Sequence, residues 1–279
     1  MRRETIVVCE IGINHSGSID IAKQLIDLAK DTGCDYVKFQ KRDIISTYTK
    51  EFLDSPRESP FGNTQRAQKN ALEFNLEQYQ EIDVYCKKME IPFFISPWDL
   101  KSIDFLEQNF PNMPYLKIPS ALITNQEYLD KCNETKFPII ISTGMSNLQM
   151  VQNAVMTCRN TAFVLGCTSA YPCPTRDLNL AQLRFLAHYF RTPNRNIGWS
   201  DHSGGILFPA LSVAYGAKMV EVHITMDRRM YGSDQASSIE PQGLRKLVKY
   251  IEEIELGIGN PLKEIQESEL SIIKKLRGY

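Results

Sequence analysis

The sequence predicts a single (β/α)8 barrel, and three observations carry that expectation. Eight short runs rich in β-branched and aromatic residues alternate with amphipathic stretches along the chain. A length of 279 residues suits a large barrel folded as one domain. Polar and ionisable residues gather at the C-terminal ends of the runs, the face on which such barrels assemble their sites.

The runs read, in order, "TIVVCEIG", "DYVKFQ", "PFFISP", "YLKIPS", "PIIISTG", "AFVLGCTS", "NIGWSD" and "MVEVHIT". After the first comes "SIDIAKQLIDLAKDTG", in which Ile21, Leu25, Leu28 and Ala29 recur at helical spacing, Ser18 offers an N-cap and Gly33 a stop. "LEQYQEIDVYCKKME", "LKSIDFLEQNF", "SNLQMVQNAVMTC", "NLAQLRFLAHYF" and "LRKLVKYIEEIEL" repeat the pattern. Repeated β-then-α units imply right-handed crossovers and a parallel sheet, and eight close a barrel; an open doubly wound sheet is the competing arrangement. Residues 41–74, "KRDIISTYTKEFLDSPRESPFGNTQRAQKNALEF", interrupt the alternation. They read as an irregular insertion that leaves the end of the second strand and serves as a lid or substrate-contacting loop.

Apolar residues make up 43% and charged residues 23%, with a net charge of −1, so neither a nucleic-acid binder nor a membrane-surface protein is indicated. No stretch approaches a membrane span and no targeting segment is legible at the start. Seven cysteines without a C-x-x-C pair predict reduced, buried thiols and a cytoplasmic location.

Strand alternation sorts the polar residues. In the last strand Glu221, His223 and Thr225 share a face opposite Val220, Val222 and Ile224; in the preceding one Gly198, Ser200 and His202 share a face. His202 and His223 are therefore expected as neighbours at the barrel mouth, where two imidazoles can bind one metal ion while substrate oxygens and water complete its shell. The alternative is a pair of hydrogen-bonded core histidines. Lys38, Gln40 and Lys117 also lie in strands. With Ser96, Ser120, Ser142 and Ser200 at strand ends, the two lysines suit an anion cradle; the competing reading pairs each lysine with a barrel carboxylate such as Glu10. Glu10, ending the first strand, suits a general base or a group that orients water. His15 and Asn14 read as structural, and Phe93, Phe94 and Trp98 as packing.

The motifs "EIGINHSG", "VKFQ", "FFISPWD", "YLKIPS", "ISTGM", "CTSAYPCP", "IGWSDHSGG", "EVHIT" and "GSDQASSIEP" occur in the order expected of sialic acid synthases. The chain resembles that family from about residue 5 to residue 260, together with its legionaminate, pseudaminate and spore-coat polysaccharide relatives. The resemblance implies a transferase that condenses phosphoenolpyruvate with an open-chain N-acyl aldose such as N-acetylmannosamine, giving a 3-deoxy-2-keto sugar acid and phosphate. It implies a divalent metal, Mn²⁺ foremost with Mg²⁺, Co²⁺ or Zn²⁺ as substitutes, held by His202 and His223. Phosphoenolpyruvate would meet Lys38, Ser96, Lys117, Ser120, Ser142, Ser169 and Ser200; Glu10 would serve the reacting sugar end or the attacking water; Gln40, Tyr171, Glu221 and Asp234 would face the sugar.

Ser169 stands where some members carry asparagine, and Ile224 where phenylalanine is usual. The resemblance also leads to the expectation that residues 1–279 form the barrel alone, without the C-terminal antifreeze-like domain of full-length members. A homodimer, or a partner supplying that domain, follows as an expectation. Two further readings stand beside the first: the same condensation on a different, non-acylated aldose, and a catalytically inactive barrel acting as a binding subunit.

Overall fold

A computed structural model describes residues 3–259 and 261–277; positions 1, 2, 260, 278 and 279 of the expected 1–279 barrel lie outside the described residues. Eight parallel strands close into a barrel: β1 (Ile6–Gly12), β2 (Tyr36–Lys41), β5 (Phe93–Pro97), β6 (Leu116–Ile118), β7 (Ile139–Ser142), β8 (Thr161–Cys167), β9 (Asn196–Asp201) and β10 (Met219–His223). Each of the eight sequence runs forms one of them, and β1 pairs with β10 on one side and β2 on the other, which excludes the open sheet.

The helices follow from local signals. In α1 (Ile19–Asp31) Ser18 Oγ accepts from the Ile21 amide, and Ala22, Leu25, Ile26, Leu28 and Ala29 are buried against the barrel. Helix α5 (Leu76–Met89) opens on a capping box between Asn75 and Gln78, satisfying two amides that the first turn leaves unpaired. In the ladders Glu10 opposes both His223 and Lys38, Gln40 opposes Ser96, and Ser200 opposes both Glu221 and Cys167. Strand pairing thus sets ionisable side chains side by side within the barrel.

The insertion corrects the sequence reading, because it is ordered rather than irregular. It comprises α2 (Ile44–Thr47), α3 (Lys50–Asp54), an antiparallel hairpin of β3 (Pro56–Ser59) and β4 (Gly62–Thr64), and α4 (Gln65–Leu72). Two of these helices have only four and five residues, too few to show a hydrophobic period. Polar contacts clamp the insertion to the barrel. Asp99 accepts from the Asp43 amide (2.7 Å) and the Thr47 hydroxyl (3.0 Å) while also capping α6 (Leu100–Asn109). Lys41 Nζ lies 2.7 Å from Glu73 Oε1, which also accepts from the Arg42 amide.

Another attachment is steric. Gly17 has φ +76°, and a Cβ there would stand 2.1 Å from the carbonyl oxygen of Ala71 in α4. Gly17→Ala combines left-handed strain with a backbone clash and is expected to cost about 2–4 kcal/mol, read as a lower midpoint in urea unfolding. An unchanged midpoint would mean that α4 is not held against the β1–α1 turn.

Candidate active site

The polar interior is organised around four buried charges. Lys38 Nζ lies 2.8 Å from Glu10 Oε2 and 3.8 Å from Glu221 Oε2. Lys117 Nζ bonds both oxygens of Glu221 at 2.9 and 3.0 Å, and Ser200 Oγ donates to Glu221 Oε1 at 3.1 Å. Gln40 Nε2 donates to Glu10 Oε1 at 2.6 Å, and its own Oε1 accepts from Arg42 at 2.5 Å. All four charged residues are at most 4% exposed. Burial pushes Glu221 up, but Lys117 and Lys38 together outweigh it and hold the carboxyl at about 2. Burial pushes Lys38 down, and the carboxylates of Glu10 and Glu221 more than reverse this, so it is raised. Lys117 shares a single carboxylate with Lys38, so burial and the neighbouring ammonium leave it lowered.

The two sequence readings of the lysines are therefore compatible. Both pair with carboxylates, yet the 2.8 Å Lys38–Glu10 contact is an ion pair in which Glu10 Oε2 accepts no aligned hydrogen bond. Ser142 Oγ is buried and likewise unpartnered. These donors face one inner cavity of about 170 Å³, lined by Glu10, Lys38, Ser96, Lys117, Ser120, Ser142, Ser169, Ser200, His202, Glu221 and His223. An outer cavity of about 200 Å³ shares Gln40, Trp98, Tyr171 and His223 with it and adds Asp234. Every site residue expected from the sequence lines one of the two.

The serines are set in different ways. Ser96 Oγ donates to the Lys117 carbonyl at 3.0 Å. Ser120 Oγ accepts from the Gly144 amide at 3.0 Å, and a Cβ on Gly144 would come within 2.1 Å of Ser169 Oγ, so glycine is required for these hydroxyls to converge.

His202 and His223 are neighbours at the mouth, with ring centroids 5.4 Å apart, a separation that suits two ligands of one ion when metal–nitrogen bonds are about 2.1 Å. His202 Nδ1 lies 2.9 Å from the Thr168 carbonyl, so in the neutral ring Nδ1 donates and Nε2 keeps its lone pair. His223 Nδ1 is buried, without a hydrogen bond, and 3.7 Å from Asp234 Oδ2. Burial lowers the His223 pKa despite Asp234 and Glu10, favouring the neutral form that a metal needs. For His202, burial is outweighed by Cys167 and Thr168, and the pKa is raised. The donor set fits a divalent ion held by two imidazoles; among the described residues no group of three His, Cys, Asp or Glu side chains converges on one point.

Asp201 serves the loop instead. Its carboxylate accepts from Trp199 Nε1 (2.9 Å) and from the Ser203 amide and hydroxyl (2.8 and 2.6 Å), shaping the turn that carries His202. His15 stacks on Phe74 at 3.9 Å, and Asn14 Nδ2 donates to Ile224 O and Ser238 Oγ, so both are structural.

Trp98 departs from the packing role read in the sequence. It walls both cavities, its Nε1 is buried without a partner, and Arg42 lies over its ring at 4.1 Å. Arg42, Tyr48 and Lys69 in the outer cavity and Cys167 in the inner one were not anticipated. The period of two through Lys38 and Gln40 pointed onward to Arg42; nothing local in the insertion marked Lys69 or Tyr48.

A metal-suited histidine pair beside a cationic, hydroxyl-lined pocket at a barrel mouth has the makeup of an enzyme site. Comparison with known proteins places it further: the NeuB family pattern matches residues 25–263, and the chain belongs to the NeuB family. It is 35% identical to the N,N'-diacetyllegionaminic acid synthase of Campylobacter jejuni, over 98% of this chain and 84% of that protein. It is also 35% identical to the human N-acetylneuraminate-9-phosphate synthase, over 97% and 76% respectively. The crystal structure of a sialic acid synthetase from Leptospira borgpetersenii in complex with citrate superposes with a TM-score of 0.84 at 29% identity, covering 99% of this chain and 93% of that one. Among the described residues no helix is long and apolar enough to cross a membrane.

Because Glu221 is held low by two lysines, its contribution to stability is present above its ordinary value of 4.5 and is lost as pH falls from there to about 2. Glu221→Gln leaves Lys117 buried without a counter-charge and is expected to cost about 3–5 kcal/mol at neutral pH. The difference in urea-unfolding stability between wild type and variant should shrink as the pH is lowered through that window. A constant difference from pH 7 to 2 would refute the assignment.

Proposed function

We propose that the protein condenses phosphoenolpyruvate with the open-chain form of an aldose, giving a 3-deoxy-2-keto sugar acid and inorganic phosphate. The observation that carries this reading is the inner cavity's excess of donors: the Ser142 hydroxyl, buried without a partner, faces the same space as Lys117 and Lys38, the latter held only by carboxylate ion pairs. Buried donors without partners cost free energy unless an anion fills the space, and phosphoenolpyruvate brings a carboxylate and a phosphate.

In this reading Lys38, Lys117 and the hydroxyls of Ser96, Ser120, Ser142, Ser169 and Ser200 bind phosphoenolpyruvate and stabilise its phosphate as charge shifts toward the leaving group. Gln40, Tyr171, Glu221 and Asp234 orient the aldose so that its carbonyl carbon meets carbon 3 of phosphoenolpyruvate. His202 and His223 hold a divalent ion, with Mn²⁺ the first candidate, which when bound polarises the aldehyde as a Lewis acid. The new carbon–carbon bond leaves positive character at carbon 2, where water adds. Glu10, fixed by Gln40 and Lys38, takes up the proton released by that water and returns it to the former aldehyde oxygen, which the carbon–carbon bond has left as an alkoxide. The tetrahedral carbon then breaks its bond to the phosphate oxygen; the carbon-2 hydroxyl gives its proton to the departing phosphate, and the 2-keto group forms. The kinship with sialic-acid-type synthases supports an N-acyl hexosamine as the aldose.

The decisive experiment is phosphate release from phosphoenolpyruvate by metal-stripped protein, with Mn²⁺ restored and a panel of aldoses including N-acetylmannosamine and plain C5 and C6 sugars. Release should require both metal and aldose. His223→Ala should lower kcat at least 100-fold and reduce Mn²⁺ affinity in calorimetry. Release with no aldose present, or full activity in His223→Ala, would refute the reading.

Ser142→Ala separates binding from folding, because its hydroxyl has no partner to lose. The melting temperature is expected to stay within about 2 °C. The KM for phosphoenolpyruvate should rise roughly 10-fold, the size of one lost charge-assisted hydrogen bond.

A further inference from the structure

A single amide joins the two cavities, and its orientation is dictated from the outer one. Gln40 Nε2 lies 2.6 Å from Glu10 Oε1, and Gln40 Oε1 lies 2.5 Å from Arg42 Nη2. A guanidinium has donors only, so the atom facing it must be the amide oxygen. The amide NH2 is thereby left for the Glu10 carboxylate. The reversed amide would set its oxygen against a carboxylate and its NH2 against a guanidinium, with no hydrogen bond at either end.

The bond from Gln40 matters because Glu10 has little else to orient it. Glu10 Oε2 meets Lys38 without an aligned hydrogen bond, so the bond to Oε1 sets the plane of the carboxylate. Gly12, with φ +55°, flanks that bond: a Cβ there would stand 3.0 Å from Glu10 Oε1 and 3.1 Å from Gln40 Nε2. The other members are held in turn. Tyr79 Oη donates to the Gln40 carbonyl at 2.7 Å. Arg42 lies over the Trp98 ring at 4.1 Å, and the Trp98 amide donates to the Lys41 carbonyl at 2.9 Å. Arg42 lines the outer cavity and not the inner one, so it stands one amide away from the carboxylate.

We propose that Arg42 is a positioning residue, which locks the Gln40 amide and through it holds Glu10 in the attitude that accepts a proton. The proposal rests on the condensation reading and adds to it a residue outside the reacting groups. Without the guanidinium the far end of the amide has no partner, and Gln40 is free to turn about its flexible stem. Glu10 then keeps only the unaligned contact with Lys38. A proton-transfer group displaced by a fraction of an ångström loses rate while substrate binding is preserved.

The test uses the full chain and reads turnover and side-chain order separately. With Mn²⁺ and the best aldose, Arg42→Met should lower kcat about 10- to 30-fold, the size of one hydrogen bond to a charged group. The KM for phosphoenolpyruvate should stay within about twofold. Gln40→Met should cost at least as much. In that background Arg42→Met should cost less than a further twofold, because the two residues act through one bond. Arg42→Lys, which keeps a donor, should recover at least threefold over Arg42→Met. Circular dichroism checks folding; where Arg42→Met does not fold, the cycle is run with Arg42→Lys, whose smaller loss should likewise vanish beside Gln40→Met. In substrate-free protein labelled with ¹⁵N in its glutamine side chains, the Gln40 NH2 signals are those lost in Gln40→Met. They should shift and exchange faster with water in the Arg42 variants. Unchanged Gln40 signals, an unchanged kcat, a loss that multiplies with that of Gln40→Met, or a matching rise in the phosphoenolpyruvate KM each overturns the proposal. Shifted signals in a protein that releases no phosphate with any aldose would uphold the lock and count against the condensation alone.

Discussion

Two carboxylates and two ammonium groups buried in one barrel form the constraint on which the site depends. An isolated charge at this depth would be neutralised or expelled, so Glu10, Lys38, Glu221 and Lys117 are tolerable only as a set. Glu221 is the hub, reaching both lysines and Ser200. The set is electrically balanced but not saturated. Lys38 is held only by carboxylate ion pairs, and the adjoining Ser142 hydroxyl is unpartnered. Preorganised, partly unsatisfied polarity of this kind stabilises charge that develops during a reaction without reorganising.

The same network ties the inner cavity to the outer one. Arg42 bonds Gln40, Gln40 bonds Glu10, and Glu10 pairs with Lys38. A group occupying the outer cavity therefore touches the carboxylate of the inner one through a single amide. The insertion that supplies Tyr48 and Lys69 is held to the barrel by Asp99, by the Lys41–Glu73 pair and by the close approach at Gly17. The outer cavity is thus built on fixed elements, which suits a binding site that must hold a substrate in one orientation.

The histidine turn shows the division of labour on a smaller scale. Strand alternation alone put His202 and His223 at the mouth. Which nitrogen of His202 is free depends on the Thr168 carbonyl, thirty-four positions earlier, and the backbone of His202 is fixed by the Cys173 amide. Asp201 is adjacent in sequence, yet it turns away to hold Trp199 and Ser203. Neighbourhood along the chain did not predict which acid would meet the histidines. Asp234, from the loop that folds back after β10, is the one that does.

Periodicity was sufficient for the architecture: the eight strands, six of the helices around them, the Ser18 cap and the inward set of ionisable residues were legible, because each depends on spacing within a dozen residues. The motif order was sufficient for the family. Spacing could not reveal the insertion, whose helices are too short to display a period and whose position is set by Asp99 and Gly17 rather than by its own composition. Nor could it reveal Trp98 as a cavity wall or Lys69 as part of the outer cavity, since both depend on what elements distant in sequence leave open. The sequence by itself determined a parallel barrel with a polar mouth. Only the tertiary structure decided which lysine is held by ion pairs alone, which carboxylate is the hub and which residues close the outer cavity, because hydrogen-bond alignment and burial are properties of packed neighbours and not of residue order.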